Sequence, residues 1–219
     1  LLAEFGIPYY NNLCVEHPNV NLIQAFSEYE IMKEIDSAEI VFGYLTRAQF
    51  AKAKSLKWIQ TLDAGMEGLF NAIPEIIESD VVITNARGAG APMIGEHAVA
   101  LMLALARQLP RFWDDKSAHR WDQEGALNAV EYLGNKICGI VGFGKSGREI
   151  GWRAKALGMH VIAIDEQPVD GDPTVEEVWG LSRLDDLLSQ SDYVVVTAPY
   201  TPRNENLIGN AQLSLMKPS

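Results

Sequence analysis

At 219 residues and 47% hydrophobic, the chain is long enough to bury a sizeable core and to form one large domain or two small ones. Its formal net charge of -11, with no basic run to offset it, argues against nucleic acid or an anionic membrane as a partner. The longest apolar run, Ala98 to Ala106, is too short to cross a bilayer and is bounded by Glu96-His97 and Arg107, so it reads as a buried helix.

Two cysteines, Cys14 and Cys138, make no disulfide framework, and no secretory signal is visible, which favours a cytoplasmic, reducing location. The chain starts without methionine, so a missing or processed N-terminus stays open. The first 18 residues define no element, although Leu1 to Pro8 fit the remnant of a strand or helix. From Val20 the signals sharpen. Asn21 to Gln24 reads as a strand, and Ser27 with Glu30 forms a capping box that opens a helix through about Ile35. Glu39 to Gly43 is the next strand. Thr46 with Gln49 repeats the capping spacing before a helix to about Lys54, and Trp58 to Leu62 and Val81 to Thr84 are further strands.

This alternation predicts a small parallel sheet with its own helices, a first domain over residues 1–91. The loop Asp63-Ala64-Gly65-Met66-Glu67-Gly68 follows a strand's carboxyl end, where open α/β sheets bind ligands. Its glycines either turn backbone N–H groups toward a small anion or simply make a turn. Pro92 opens a long helix to about Gln108 and starts a second domain, 92–219. Arg107, Arg111, Phe112, Trp113 and Trp121 follow in a less regular connection whose charges read as solvated surface.

Ile137, Ile140 and Val141 then form an apolar run without alternation, the pattern of a strand buried on both faces of a parallel sheet; Cys138 inside it reads as a plain core thiol. The turn Gly142-Phe143-Gly144-Lys145-Ser146-Gly147 is a G-x-G-x-x-G that opens a helix with Gly147, Ile150, Gly151, Ala154 and Leu157 on one face, stopped by Gly158. Gly142 suits the tight turn, Gly144 a close approach to pyrophosphate, and Gly147 the packing of helix on sheet. Unsatisfied N–H groups at the helix start would face the phosphates. A second strand, Val161 to Ile164, ends in Asp165, 18 residues beyond Gly147, near the spacing of an acid that binds the adenosine ribose and repels a 2′-phosphate. NAD is thereby favoured over NADP.

Beyond it, Asp170 to Thr174 is a turn-rich loop, Ser182 with Asp185 caps a helix to about Ser189, and Tyr193 to Thr197 reads as the third strand of the nucleotide domain. Ala198-Pro199-Tyr200-Thr201-Pro202 leaves the carboxyl end of that strand, and Ala211 to Lys217 reads as a short helix. Only the adenosine half of a doubly wound dinucleotide fold is expected after Ile137; the nicotinamide half is missing.

From about Val20 the residues resemble the D-isomer-specific 2-hydroxyacid dehydrogenases. The carriers are Leu62 to Met66, Asn85 to Gly88, Gly95 to Ala98, Leu133-Gly134 leading into Gly142 to Gly147, Ser191-Asp192, Ala198 to Pro202 and Leu207 to Gly209. The resemblance implies a flavodoxin-like substrate domain that closes on a Rossmann domain, and a homodimer with the helix from Pro92 near the hinge. It implies that the backbone of Ala64, Gly65 and Met66 holds a substrate carboxylate and that Phe143, Gly144, Lys145, Ser146 and Gly147 hold the pyrophosphate. Asp165 would hold the ribose, Ala198, Pro199, Tyr200 and Thr201 would line the adenosine pocket, and Met93 would lie near the cofactor.

Ser146 departs from the family's aliphatic residue before the third glycine. The family's arginine, glutamate and histidine of catalysis match positions beyond Ser219, so no catalytic residue is assigned; of the four histidines, His17, His119 and His160 read as ordinary surface or capping residues and His97 as structural. The implied activity is hydride transfer between nicotinamide and a small 2-hydroxy or 2-keto acid. The alternatives are a non-enzymatic NAD-binding regulator on the same fold and an S-adenosylmethionine-dependent methyltransferase.

Overall fold

The computed structural model describes residues 7–218. By contacts the chain divides into two compact units, Leu1–Ala89 and Gly90–Ser219.

The first unit runs α1 (Ile7–Glu16), α2 (Glu28–Glu34), β1 (Ile40–Phe42), α3 (Arg47–Lys52), β2 (Trp58–Gln60), α4 (Glu67–Ala72), a 3-10 turn (Pro74–Glu78) and β3 (Val82–Thr84). Its three strands lie parallel in the order β1-β2-β3, with Ile40 opposite Trp58 and Trp58 opposite Val82. Ile35, Val41, Ile59, Ile73 and Ile76 close the core. Both capping boxes form. Glu30 N–H donates to Ser27 Oγ at 3.3 Å while Glu30 Oε2 accepts from Ser27 N–H at 3.0 Å, and Thr46 and Gln49 exchange bonds of 3.3 and 2.8 Å. The N–H groups of Phe26 and Ser27 hold the Glu30 carboxyl below its usual range.

Three expectations change here. Asn21 to Gln24 is not a strand: Gln24 makes an isolated bridge, and Leu22 spends its carbonyl on the Tyr10 hydroxyl, 2.8 Å away in the unforeseen α1. The loop after β2 ends at Met66, because Glu67 and Gly68 already belong to α4. Of the Leu1 to Pro8 remnant, residues 1–6 lie outside the described residues and Ile7 and Pro8 open α1.

The second unit runs α5 (Ala91–Ala106), α6 (Leu109–Ser117), α7 (Gln123–Ala129), β4 (Ile137–Val141), α8 (Lys145–Ala156), β5 (His160–Ile164), β6 (Glu177–Trp179), a 3-10 turn (Leu181–Arg183), α9 (Leu184–Gln190), β7 (Tyr193–Val196) and α10 (Asn210–Leu215). All four strands are parallel, in the order β6-β5-β4-β7. Alternate residues of β4 and β5 feed opposite faces. Cys138, Ile140, Val161 and Ala163 pack with Met102, Ile150 and Ala154 on one side, and Val141 and Ile164 pack with Leu184, Leu187 and Leu188 on the other. Burial on both faces explains the unbroken apolar run, and each fully buried leucine contributes about 2 kcal/mol. Burial also pushes the Cys138 thiol up to about 12, as expected of an inert core cysteine.

Several boundaries move. The Ala98 to Ala106 run is buried on one face only: Ala98, Met102 and Ala106 face the core, while Leu101 and Leu105 are 53% and 58% exposed. The stretch after it is regular. Gln108, at φ 54, breaks α5, and Pro110 in the first turn of α6 restarts the helix. Its charges are not merely solvated, because Arg111 donates to Gly125 O at 2.9 Å and pairs with Asp122, while buried Asp115 accepts from Arg120 at 2.8 and 3.0 Å.

Ser182 lies inside a 3-10 turn and does not cap α9, which begins after Arg183 without a side-chain cap. The third strand is β6, absent from the sequence reading. Tyr193–Val196 is therefore the fourth and lies on the far side of β4, so the first strand of the second, nicotinamide half is present rather than missing.

Candidate functional site

The turn after β4 lies at the sheet's carboxyl edge, where the strand order reverses between β4 and β7. Gly142 has φ +94, and a Cβ there would lie 2.5 Å from Ala198 N and 2.7 Å from Ala198 Cα. Glycine is thus required both by conformation and by the approach of the chain leaving β7. A Cβ at Gly147 would stand 2.5 Å from Gly142 O, so only glycine lets α8 begin against the turn. Gly144 is the N-cap residue, and no side chain caps the helix there. The first N–H groups of α8 lack intrahelical partners, and the helix dipole adds to their attraction for an anion. Lys145 is exposed and Ser146 half-buried beside them.

Asp165 continues from β5. Its Oδ2 accepts from Phe143 N–H at 2.7 Å and its Oδ1 from Gln167 N–H at 3.0 Å, so the carboxylate is fixed beside the glycine turn. The Phe143 ring is buried in the core with Arg148 stacked 5.0 Å above it, and Arg148 also pairs with Asp172. On the other side of the turn, Ala198 N–H donates to Val141 O at 3.0 Å and Thr197 Oγ1 donates to Gly142 O at 2.6 Å. Asn204 clamps the following loop: its Oδ1 accepts from Thr201 N–H at 2.7 Å and its Nδ2 donates to Pro199 O at 2.6 Å. Tyr200 is 60% exposed at the tip. Phe143 to Gly147, Asp165 and Ala198 thus converge, with Pro199 to Thr201 following directly. Met93 stands exposed on the first turn of α5. Sequence reasoning missed Thr197 and Asn204; the only signal for them was a hydroxyl ending a strand and an amide just past Pro202.

In the first unit, Asn85 Nδ2 donates to Ala64 O at 2.7 Å and Ala86 N–H donates to Asp63 O at 3.0 Å, tying the loop after β2 to the exit of β3. Ala64, Gly65 and Met66 sit on that tied loop. Met66, Phe70, Ile83, Thr84 and Asn85 line an open hollow of about 410 Å³ beside it. Among the described residues no group of three or more metal-ligating side chains occurs, and no helix is long and apolar enough to cross a membrane.

A four-stranded parallel sheet with a glycine turn at its switch point and an acid ending the neighbouring strand defines a Rossmann-type nucleotide-binding unit. Residues 99–219 match the family model for the NAD binding domain of D-isomer specific 2-hydroxyacid dehydrogenases, and the chain belongs to that family. It is 32% identical over 189 residues to a hydroxypyruvate reductase of Thermotoga maritima, covering 86% of this chain and 59% of that protein. It is 28% identical over 206 residues to a D-3-phosphoglycerate dehydrogenase of Methanocaldococcus jannaschii, covering 90% and 38%. The chain therefore spans less than two thirds of the length of these curated relatives.

Among solved structures, a D-isomer specific 2-hydroxyacid dehydrogenase family protein from Aeromonas salmonicida superposes with TM-score 0.81 at 25% identity, covering 96% of this chain and 67% of that one. D-lactate dehydrogenase from Aquifex aeolicus, complexed with NAD and lactic acid, gives 0.73 at 25% identity, covering 96% and 63%. The methyltransferase alternative finds no support among these relatives.

Proposed function

We propose that the protein is an NAD-dependent oxidoreductase that moves a hydride between nicotinamide and a small D-2-hydroxy or 2-keto acid. The observation that carries this is Asp165, hydrogen-bonded to the glycine turn at the carboxyl edge of the sheet, in a chain of this family. The residues suit the cofactor. The turn at Gly142 stays open only for glycine, the uncapped start of α8 offers free N–H groups that would suit a pyrophosphate, and Asp165 would serve as an acceptor for ribose hydroxyls. The backbone of Phe143 to Gly147 would take the phosphates, Asp165 the ribose, and Ala198 to Thr201 the adenosine. Bound NAD would supply or accept the hydride. Ala64, Gly65 and Met66 would offer backbone N–H groups to the substrate carboxylate, on a loop that the Asn85 amide holds in place. Met93, on α5, is assigned to the cofactor's surroundings.

We further infer a homodimer formed through the outer leucines of α5, residues 1–91 as substrate domain and 92–219 as cofactor domain, and a cytoplasmic location, in keeping with two free cysteines. Titrating tryptophan fluorescence with NADH, NADPH and S-adenosylmethionine tests the central assignment: NADH is expected to quench at the lowest concentration, and tight S-adenosylmethionine binding without NADH binding would overturn it.

A further inference from the structure

The hollow beside the loop after β2 has a particular chemistry. Three of its walls, Met66, Phe70 and Ile83, are apolar, and no lysine, arginine or histidine lines it. Its two polar side chains are already occupied. Thr84 Oγ1 donates to Gln60 Oε1 at 2.6 Å and accepts from Trp58 Nε1 at 2.7 Å, while the Asn85 amide donates to Ala64 O and accepts from Arg87 N–H at 3.3 Å. A ligand group entering the hollow meets hydrocarbon and two polar side chains that already have partners within the unit. On the adjoining loop, the Glu67 carboxylate stands so close to Gly65 that a Cβ there would lie 2.4 Å from its Oε2.

Resting on the reading of Ala64 to Met66 as the carboxylate-binding loop, we propose that the substrate is a monocarboxylic 2-keto acid whose remaining substituent is uncharged, aliphatic or aromatic, and seats in this hollow. A phosphoryl group or a second carboxylate would find no lysine, arginine or histidine in this lining to pair with. An uncharged substituent instead gains the burial of its hydrocarbon against Met66, Phe70 and Ile83.

Steady-state reduction by the full-length protein with NADH, using phenylpyruvate, pyruvate, oxaloacetate and phosphonooxypyruvate, tests this. The expected kcat/KM for phenylpyruvate is about tenfold or more above that for either multiply anionic acid. Thr84→Arg, which places a cation in the wall, is expected to narrow that gap by raising the phosphonooxypyruvate value. A wild-type preference for phosphonooxypyruvate or oxaloacetate overturns the substrate class while leaving the dehydrogenase reading intact. Reduction of none of the four by a protein that still binds NADH overturns the substrate class, and loss of NADH binding overturns the dehydrogenase reading as well.

Discussion

Gly142 answers to two separate demands, a φ of +94 and a Cβ position 2.5 Å from Ala198 N, and neither can be relieved by rotating a side chain. Gly142→Ala is therefore expected to lower stability by at least about 2 kcal/mol in urea unfolding and to weaken NADH binding with it; an unchanged unfolding midpoint would show that the turn is not as tight as described. Residues of this kind were legible in the sequence because each reports a local backbone requirement: three glycines at fixed spacing and an acid at a strand's end. Asn204 and Thr197 were not legible, because their roles depend on which carbonyls and N–H groups the fold brings past them.

Local chemistry decides which helix starts could be read from sequence. Ser27 caps α2 reciprocally with Glu30, whereas Ser182, with an acid at the same spacing, sits in a 3-10 turn. Ser27→Ala should cost about 1 kcal/mol, and Ser182→Ala less than about 0.5 kcal/mol; equal losses by chemical denaturation would contradict the distinction. The elements that were missed share a cause. Strand β6 is a three-residue edge strand in which only Val178 is buried, so it carries no apolar run, and α6 and α7 are linked by Arg111, which pairs with Asp122 and donates to Gly125 O, while Trp113 and Trp121 stay exposed.

The strands of the nucleotide unit are also pinned by Asp192, whose Oδ2 accepts from Ile137 N–H and whose Oδ1 accepts from Lys217 Nζ, each at 2.8 Å. Burial works to raise this carboxyl, but the Ile137 N–H and the Lys217 ammonium outweigh it, and the net shift is downward from its ordinary value of 3.8. A carboxyl depressed in the folded state stabilises above its unfolded value, and that contribution disappears as pH falls through the lower folded one. Asp192→Asn should thus cost about 1 kcal/mol at neutral pH, and its deficit relative to wild type should close only below 3.8. A deficit that persists unchanged into stronger acid would remove charge as the cause.

At the scale of the molecule, the sequence made two parallel α/β units legible, because strand and helix periods alternate throughout. The strand order of the second sheet was not legible. Crossing from β6 to the far side of β4 is a choice of topology that no local pattern records, and it changes Tyr193–Val196 from the end of one half-fold to the beginning of the next. The exposed leucines of α5 likewise escaped a reading that saw only a uniform apolar run. If a second copy covers them, sedimentation should show a dimer that Leu101→Glu together with Leu105→Glu dissociates; a wild-type monomer at micromolar concentration would contradict the proposal.

The most direct test is calorimetric titration of NADH into the wild-type protein and into Asp165→Ala, with thermal unfolding to confirm that the variant remains folded. Loss of a charged acceptor for the ribose is expected to weaken NADH binding at least about tenfold and to narrow its advantage over NADPH. NADH affinity unchanged in a folded Asp165→Ala protein would contradict the assignment of this carboxylate, and of the glycine turn it holds, to the dinucleotide.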